Sequence, residues 1–468
     1  MRFLLLIFLS FNVFANNFIG DWHGQLDIQG TKLRISFHIN SEGEIYTSTM
    51  DSPDQGAMGL PTTSTTVDGK NIIISIKNLG VNFKGALVNN KINGVFAQSG
   101  MNLPLILSKN EVAEIKQKPR QQDPIKPYPY VSKDVFFTNS IANNIKLAGT
   151  LTLPNNVSKP PVAILISGSG PQNRDEEIKM LNHRPFLVIS DYLTRNGIAV
   201  LRYDDRGVAK SEGSHNSATS LDFATDTQAA IDYLKTRSDV IDIHKIGLIG
   251  HSEGGLIAPM VAASNKDVAF IALLAGPGIS GDQILVTQAK KASELAGTNR
   301  EEINFSQIVS EKLFEIVKNE SNLEELPDKL VTFLNQEKEK HSDELSKHFS
   351  NEKNQGIVKS LSSPWMSHFI RSNPDDFLSQ VTCPTLAVNG ELDFQVISKL
   401  NLQGIKQSLL KANNNDVTIR EFKGLNHLFQ RAKTGAANEY GVIEETISPD
   451  VLDFIAKWIN ERFSSKQS

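Results

Sequence analysis

The stretch Ile246-Gly247-Leu248-Ile249-Gly250-His251-Ser252-Glu253-Gly254-Gly255 decides how this chain folds. An apolar run of strand length, 246–249, stops at a glycine, and a small-residue helical pattern starts directly after the second glycine of G-x-S-x-G. In that strand-to-helix setting the two glycines permit a backbone reversal that a Cβ would obstruct, which lifts the serine hydroxyl clear of the sheet edge. Ser252 is therefore the candidate nucleophile. A bare pentapeptide of this kind is also a common Gly-rich turn, so the weight falls on what surrounds it.

Three further segments stand where such a nucleophile needs them. Ser167-Gly168-Ser169-Gly170-Pro171 follows the buried-strand run 162–166 and precedes the helix-like 186–195. A loop so placed can aim a backbone N–H at a developing oxyanion, paired with the N–H of the residue after the nucleophile. The amides of Ser169, Gly170 and Glu253 are the candidate donors, although the loop alone reads equally as a flexible connection. Asn389-Gly390-Glu391-Leu392-Asp393 follows the apolar run 385–388, and a triad acid comes from the end of such a late strand. Asp393 is the chosen acid, with Glu391 two residues away and chemically competent. Gly424-Leu425-Asn426-His427 follows the strand-like 417–422; of the ten histidines only His427 lies downstream of Asp393, so the order Ser, Asp, His admits it alone. His251 and His368 read as structural or solvent-exposed.

On these residues the region from about 131 to 468 resembles an α/β-hydrolase. The segments Gly168-Ser169-Gly170-Pro171-Gln172-Asn173-Arg174-Asp175-Glu176, Arg202-Tyr203-Asp204-Asp205-Arg206-Gly207 and Gly250-His251-Ser252-Glu253-Gly254-Gly255 together resemble an exported bacterial carboxylesterase group related to prolyl oligopeptidase-type hydrolases. The resemblance implies a mostly parallel sheet with helices on both faces, a Ser252–Asp393–His427 triad, and hydrolysis of small acyl esters of short chain without metal or organic cofactor. The same triad would serve a peptidase or a thioesterase. A non-catalytic exported binding protein would have no physical need for the nucleophile, acid, base and oxyanion loop in combination. One departure is Ala209, where the arginine loop of such hydrolases usually carries glycine; it is expected to stiffen that loop without touching the chemistry.

Asp204, Asp205 and Arg206 follow the strand 199–202 and read as an ion-pair network propping the loops around the site, because their position is wrong for a triad acid. Arg174 reads as a structural partner of an acid such as Asp175, with bidentate binding of a substrate carboxylate as the alternative.

The rest of the chain bounds the setting. At 468 residues, 40% apolar and 21% charged, it is of ordinary globular composition and long enough for two or three domains, and a net charge of −4 gives no footing for nucleic acid. Residues 1–15 carry Arg2, the apolar stretch 3–9 and Val13-Phe14-Ala15, the pattern of a secretory signal peptide, with an apolar core too short for a spanning helix and no cysteine for a lipid anchor. Export is expected, to the periplasm in a Gram-negative source and to the medium otherwise. The single cysteine, Cys383, can form no internal disulfide and reads as a core residue at the start of an apolar strand.

Residues 16–108 alternate with period two, as in Leu33-Arg34-Ile35-Ser36-Phe37-His38-Ile39, between turn signals such as Asp68-Gly69 and Asn89-Asn90, and are expected to form a small all-β domain, a barrel being one option. Residues 109–130, with Pro119, Pro124, Pro127 and Pro129, read as a semi-rigid linker to the hydrolase domain at 131–468. Within that domain 281–374 is a charged, helix-rich insertion in the position of a lid, where Trp365, Met366 and Phe369 are the candidate pocket residues.

Overall fold

The computed structural model describes residues 15–28, 31–55, 57–98, 101–113, 120–341 and 349–464. The expected leader lies outside these residues except for Ala15, as do 114–119 of the proline-rich stretch and 342–348 of the charged insertion. The chain divides into two compact units, one of residues 1–118 with Lys179–Leu181, the other of the remainder.

The first unit is a nine-stranded sheet of β1 (Gly20–Ile28), β2 (Thr31–Glu42), β3 (Ile45–Ser52), β4 (Ala57–Pro61), β5 (Ser64–Asp68), β6 (Asn71–Ile76), β7 (Val81–Val88), β8 (Lys91–Gln98) and β9 (Met101–Leu107), in the order β1-β2-β3-β5-β6-β7-β8-β9 with β4 on β3. Every pairing is antiparallel. His23 and Ser108 exchange backbone hydrogen bonds of 2.7 and 2.9 Å, bringing the first strand to the end of the last and closing the sheet as a barrel. The period-two pattern explains the core: Leu33, Ile35, Phe37 and Ile39 all point inward from β2 and meet Trp22, Ile74 and Phe83. Asn89 and Asn90 take φ of 49° and 57° between β7 and β8, the left-handed pair that a two-residue hairpin turn requires.

The second unit is built on an eight-stranded sheet of order β10-β11-β13-β12-β14-β15-β16-β17, from β10 (Tyr130–Asn139), β11 (Ile145–Pro154), β12 (Val162–Ile166), β13 (Ala199–Tyr203), β14 (Ile246–His251), β15 (Val268–Leu274), β16 (Thr385–Gly390) and β17 (Val417–Phe422). Only β11 runs against the others. The central strands are buried on both faces, as continuous apolar runs demand. Val162, Ile164 and Ile166 of β12 enter one core with α2 (Ser220–Lys235), α3 (Gly254–Ser264) and α10 (Ser398–Lys411). Ala163 and Leu165 enter the other core, with α1 (Pro185–Arg195) and α11 (Pro449–Phe463). From β12 the chain crosses to β13 on one side and returns to β14 on the other, so the carboxyl ends of β12 and β14 form the switch point where such sheets hold their sites.

Between β15 and β16 stand α4 (Gly281–Leu295), α5 (Arg300–Asn319), α6 (Leu326–Lys340), α7 (Asn351–Leu361) and α8 (Pro364–Arg371), followed by the short α9 (Asp375–Leu378). This insertion has its own core, in which Leu326, Leu330 and Leu334 form an i, i+4 stripe against Leu313, Val317 and Ile370. Part of the expected linker is bound to the second unit. The Arg120 guanidinium donates to the carbonyls of Asn182, Ile443 and Glu444, Gln122 to that of Ile447, and Asp123 pairs with Arg184 at 2.5 Å. Among the described residues no helix is long and apolar enough to cross a membrane.

Candidate active site

Strand β14 ends at His251 and α3 starts at Gly254, so Ser252 and Glu253 make the whole turn. Ser252 sits at φ 52°, a left-handed conformation that costs a non-glycine residue about 1 kcal/mol or more and persists only where the surroundings enforce it. The flanking glycines permit it: a Cβ on Gly250 would lie 1.9 Å from the Gly254 carbonyl oxygen, and one on Gly254 2.1 Å from that of Ile166. The reversal is thus possible only with hydrogen at both positions, and it leaves the serine at the sheet's carboxyl edge.

The structure brings the candidate acid and base side by side. His427 Nδ1 lies 2.8 Å from Asp393 Oδ2, both side chains buried, while Asp393 Oδ1 accepts the backbone N–H groups of Gln395 and Val396 at 2.8 and 2.9 Å. With Nδ1 turned to a carboxyl oxygen, the ring hydrogen belongs on Nδ1 and Nε2 is left with the free lone pair. Glu391 instead accepts from the Gly424 amide at 3.0 Å on the exposed side, so the structure separates the two acids that spacing left open. His427 is held by its loop: Asn426 Oδ1 accepts from Leu428 N and Gln430 N, and Asn426 Nδ2 donates to Gln430 Oε1. The His251 ring lies beside that of His427, their centroids 4.9 Å apart.

Of the candidate oxyanion donors, the amides of Ser169, Gly170 and Glu253 have no protein acceptor among the described residues. Gly168 brings their loop to the elbow, because a Cβ there would lie 3.2 Å from Ser252 Cβ. The Glu253 side chain is buried and accepts from Ser220 Oγ at 2.6 Å and Trp365 Nε1 at 2.8 Å. Burial pushes its carboxyl upward against these two donors. Asp205 beside it accepts from Ser167 Oγ at 2.7 Å and Gln172 N at 2.9 Å. Burial, with the nearby Glu253 and Glu176 carboxyls, pushes Asp205 up to about 8. Both acids line a cavity of about 10 Å³ behind the oxyanion loop, room for about one water.

Other expected roles sort out by partner. Arg174 pairs bidentately with Asp204, at 3.0 and 2.7 Å, and also reaches Thr150 and the Gly149 carbonyl, so its donors are spent on the fold. Asp175, the acid expected beside it, pairs instead with Arg202. Arg206 is fixed by Asp226 and Asp222, whereas Asp205 pairs with no cation among the described residues. Trp365 stacks on Phe369 at 5.3 Å, and both join Leu256, Met260 and Ile284 in an apolar cluster; Met366 packs into the insertion's own core. Cys383 is half-buried against the sheet core, and burial pushes its thiol up to about 11. Glu176 and Asp205 received no individual role from the sequence; charge inside two glycine-rich loops was the signal available, and burial is what gives it meaning.

Comparison with known proteins bears on the same stretch. The sequence profile of the family described as serine aminopeptidase, S33, matches residues 185–431, more than half of the chain, from α1 through the His427 loop. The chain belongs to this family of α/β-hydrolases. The S33 hydrolase is 24% identical over 332 residues to the esterase EstD of Thermotoga maritima, covering 70% of this chain and 69% of that one. Among solved structures it is similar to Est1E from Butyrivibrio proteoclasticus with ferulic acid bound, at 19% identity and a TM-score of 0.41 over 70% of this chain and 96% of that one. It is similar also to the Pyrococcus furiosus esterase Pf2001, at 16% identity and a TM-score of 0.43 over 75% and 100% of the two chains.

Proposed function

We propose that this S33-family hydrolase cleaves carboxylic esters of short acyl chain through an acyl-enzyme on Ser252. The observation that carries the reading is the buried His427–Asp393 pair, 2.8 Å apart, on the same sheet edge as an elbow serine at φ 52°. His427 Nε2 takes the proton from Ser252 Oγ as the oxygen attacks the ester carbonyl. Asp393 fixes the ring and stabilises the imidazolium that forms. The backbone N–H of Glu253 and those of Ser169 and Gly170 stabilise the oxyanion, and the imidazolium then protonates the departing alkoxide. Water activated by the same histidine attacks the acyl carbonyl and frees the serine.

The Trp365–Phe369 stack, tied to Glu253 beside the oxyanion donor, supports a confined acyl site and a lid role for the insertion. The name of EstD supports esters over amides, and the leader pattern at 1–15 supports export. A p-nitrophenyl ester series of increasing acyl length, run beside matched amide and thioester substrates, tests the reading. Turnover greatest for short esters, and reduced on the order of 10⁶-fold in Ser252→Ala, is expected. Full activity in that variant, or faster cleavage of the amide or thioester, overturns it.

A further inference from the structure

Glu176 has no place in the proposed reaction, yet it is tied to two of the loops beside Ser252. It is buried and held at φ 50°, a strained conformation for a side chain of its size. Its Oε1 accepts the Gly168 N–H at 2.7 Å and faces His251 Nδ1 at 2.9 Å. The other nitrogen of the same ring, Nε2, faces the backbone carbonyl oxygen of His427 at 3.1 Å. One chain of hydrogen bonds therefore runs from the oxyanion loop through Glu176 and His251 to the residue that carries the base.

The chemistry of that chain fixes a charge. Both His251 nitrogens face oxygens, one of a carboxyl that already accepts the Gly168 N–H and one of a carbonyl; the carbonyl, and the carboxyl when ionised, have no hydrogen to give. A neutral imidazole has one bare lone pair, which here would point at an oxygen at hydrogen-bond distance in a water-poor interior. A doubly protonated ring satisfies both contacts and supplies the counter-charge to Glu176, whose second oxygen is buried without a partner among the described residues. We propose that Glu176 and His251 are a carboxylate–imidazolium positioning pair that sets the oxyanion loop against the His427 loop, so that catalysis requires the proton on His251. The inference rests on the reading of Ser252 as nucleophile.

Burial acts against the charge on His251, and the Glu176 carboxylate outweighs it, so that the ring holds its proton above the ordinary histidine range. The other titratable groups around the pair act in both directions. Asp393 adds to the negative field at His251. His427 turns its carbonyl to the pair, and its ring lies 4.9 Å from that of His251, so the imidazolium formed during the reaction opposes the charge on His251. Burial pushes His183, next in line, down to about 4, so it carries no competing charge near neutrality. A group whose pKa is raised keeps its contribution at low pH and loses it as pH rises through the raised value. The positioning is therefore lost on the alkaline side.

The test uses the full chain with ¹⁵N-labelled histidine, the His251 signals being assigned by their absence in His251→Gln. Ring spectra across pH are compared with the pH dependence of the rate at which a fluorophosphonate labels Ser252, in the wild type and in Glu176→Gln. The expected result is a His251 ring with both nitrogens protonated at neutral pH, losing its proton where the labelling rate falls. In Glu176→Gln, which keeps an acceptor for Gly168 and removes the charge, that fall moves about 1–3 pH units lower. With an ester substrate, kcat at neutral pH drops about 10- to 100-fold while KM holds within about twofold, because the pocket is untouched. A neutral His251 in the wild-type spectrum, or a Glu176→Gln profile superimposable on the wild type, overturns the proposal. The wild-type spectrum decides even if the variant fails to fold. Neither the spectrum nor the labelling needs an ester, so absence of ester turnover would count against the esterase reading alone.

Discussion

At the residue scale the site rests on placing groups where they would not go unaided: a serine at positive φ, two buried acids behind a loop of donors, and a histidine between two acceptors. Asp205 shows what that does to stability. Its ordinary value is near 3.8 and burial lifts it to about 8, so between these values the folded state holds a proton that the unfolded chain has released. Stability then falls as pH rises through that window and levels off above it. Asp205→Asn removes this dependence, so in urea unfolding the variant should gain on the wild type between about pH 5 and about pH 8. An offset constant across that range would mean that Asp205 is ionised throughout. Ala209 offers a simpler case. It stands at φ 48°, where a Cβ is strained, so Ala209→Gly should stabilise the fold by about 0.5–1 kcal/mol and leave kcat unchanged. The pairing of Asp393 with His427 was legible in the sequence because chain order and the ends of apolar runs point to it, and because among the ten histidines only His427 follows Asp393. The choice between Asp393 and Glu391 was not, since residues two apart at the end of a strand have the same spacing argument; a hydrogen bond of 2.8 Å settles which acid meets the ring. Glu176 and Asp205 were illegible as individuals, since the partners of each lie on other segments of the chain.

At the scale of elements, strands β12, β13, β16 and β17 begin at the residues that apolar periodicity indicated, because buried parallel strands leave few alternatives to an uninterrupted apolar run. The insertion was legible as helical but not in its contacts. Charged faces reveal solvent and say little about which helix touches the elbow. The contact is made by α8: Trp365 Nε1 donates to Glu253 Oε1, joining the insertion to the residue whose backbone N–H is a candidate oxyanion donor. Trp365→Phe keeps the stack on Phe369 and deletes this donor. Leaving a buried carboxyl with Ser220 alone should destabilise the protein by about 1–3 kcal/mol and lower kcat more than it raises KM, as thermal unfolding and steady-state kinetics would show. Unchanged kcat would mean that the tie holds the helix but not the donor.

At the scale of the molecule, the two units have separate cores, and the second begins earlier than the proline pattern suggested. Arg120, Gln122 and Asp123 are stitched to Asn182, Arg184 and the 440–447 segment by polar side chains that periodicity does not register. A chain starting at Tyr130 should therefore be less stable than one starting at Arg120 by at least about 2 kcal/mol in denaturant unfolding. Equal midpoints would make these bonds incidental. The three tryptophans are distributed over the same plan. Trp22 and Trp458 are sealed in hydrophobic cores, at 1% and 4% exposure, and their surroundings have no reason to change during a turnover. Trp365 alone is half-buried beside the elbow, its indole N–H on the carboxyl of Glu253, the residue whose backbone N–H is a candidate oxyanion donor. The enzyme thus carries an intrinsic optical reporter: a shift in tryptophan emission on acylation of Ser252 would come from a single fluorophore, and it would time the arrival of the acyl group without any label.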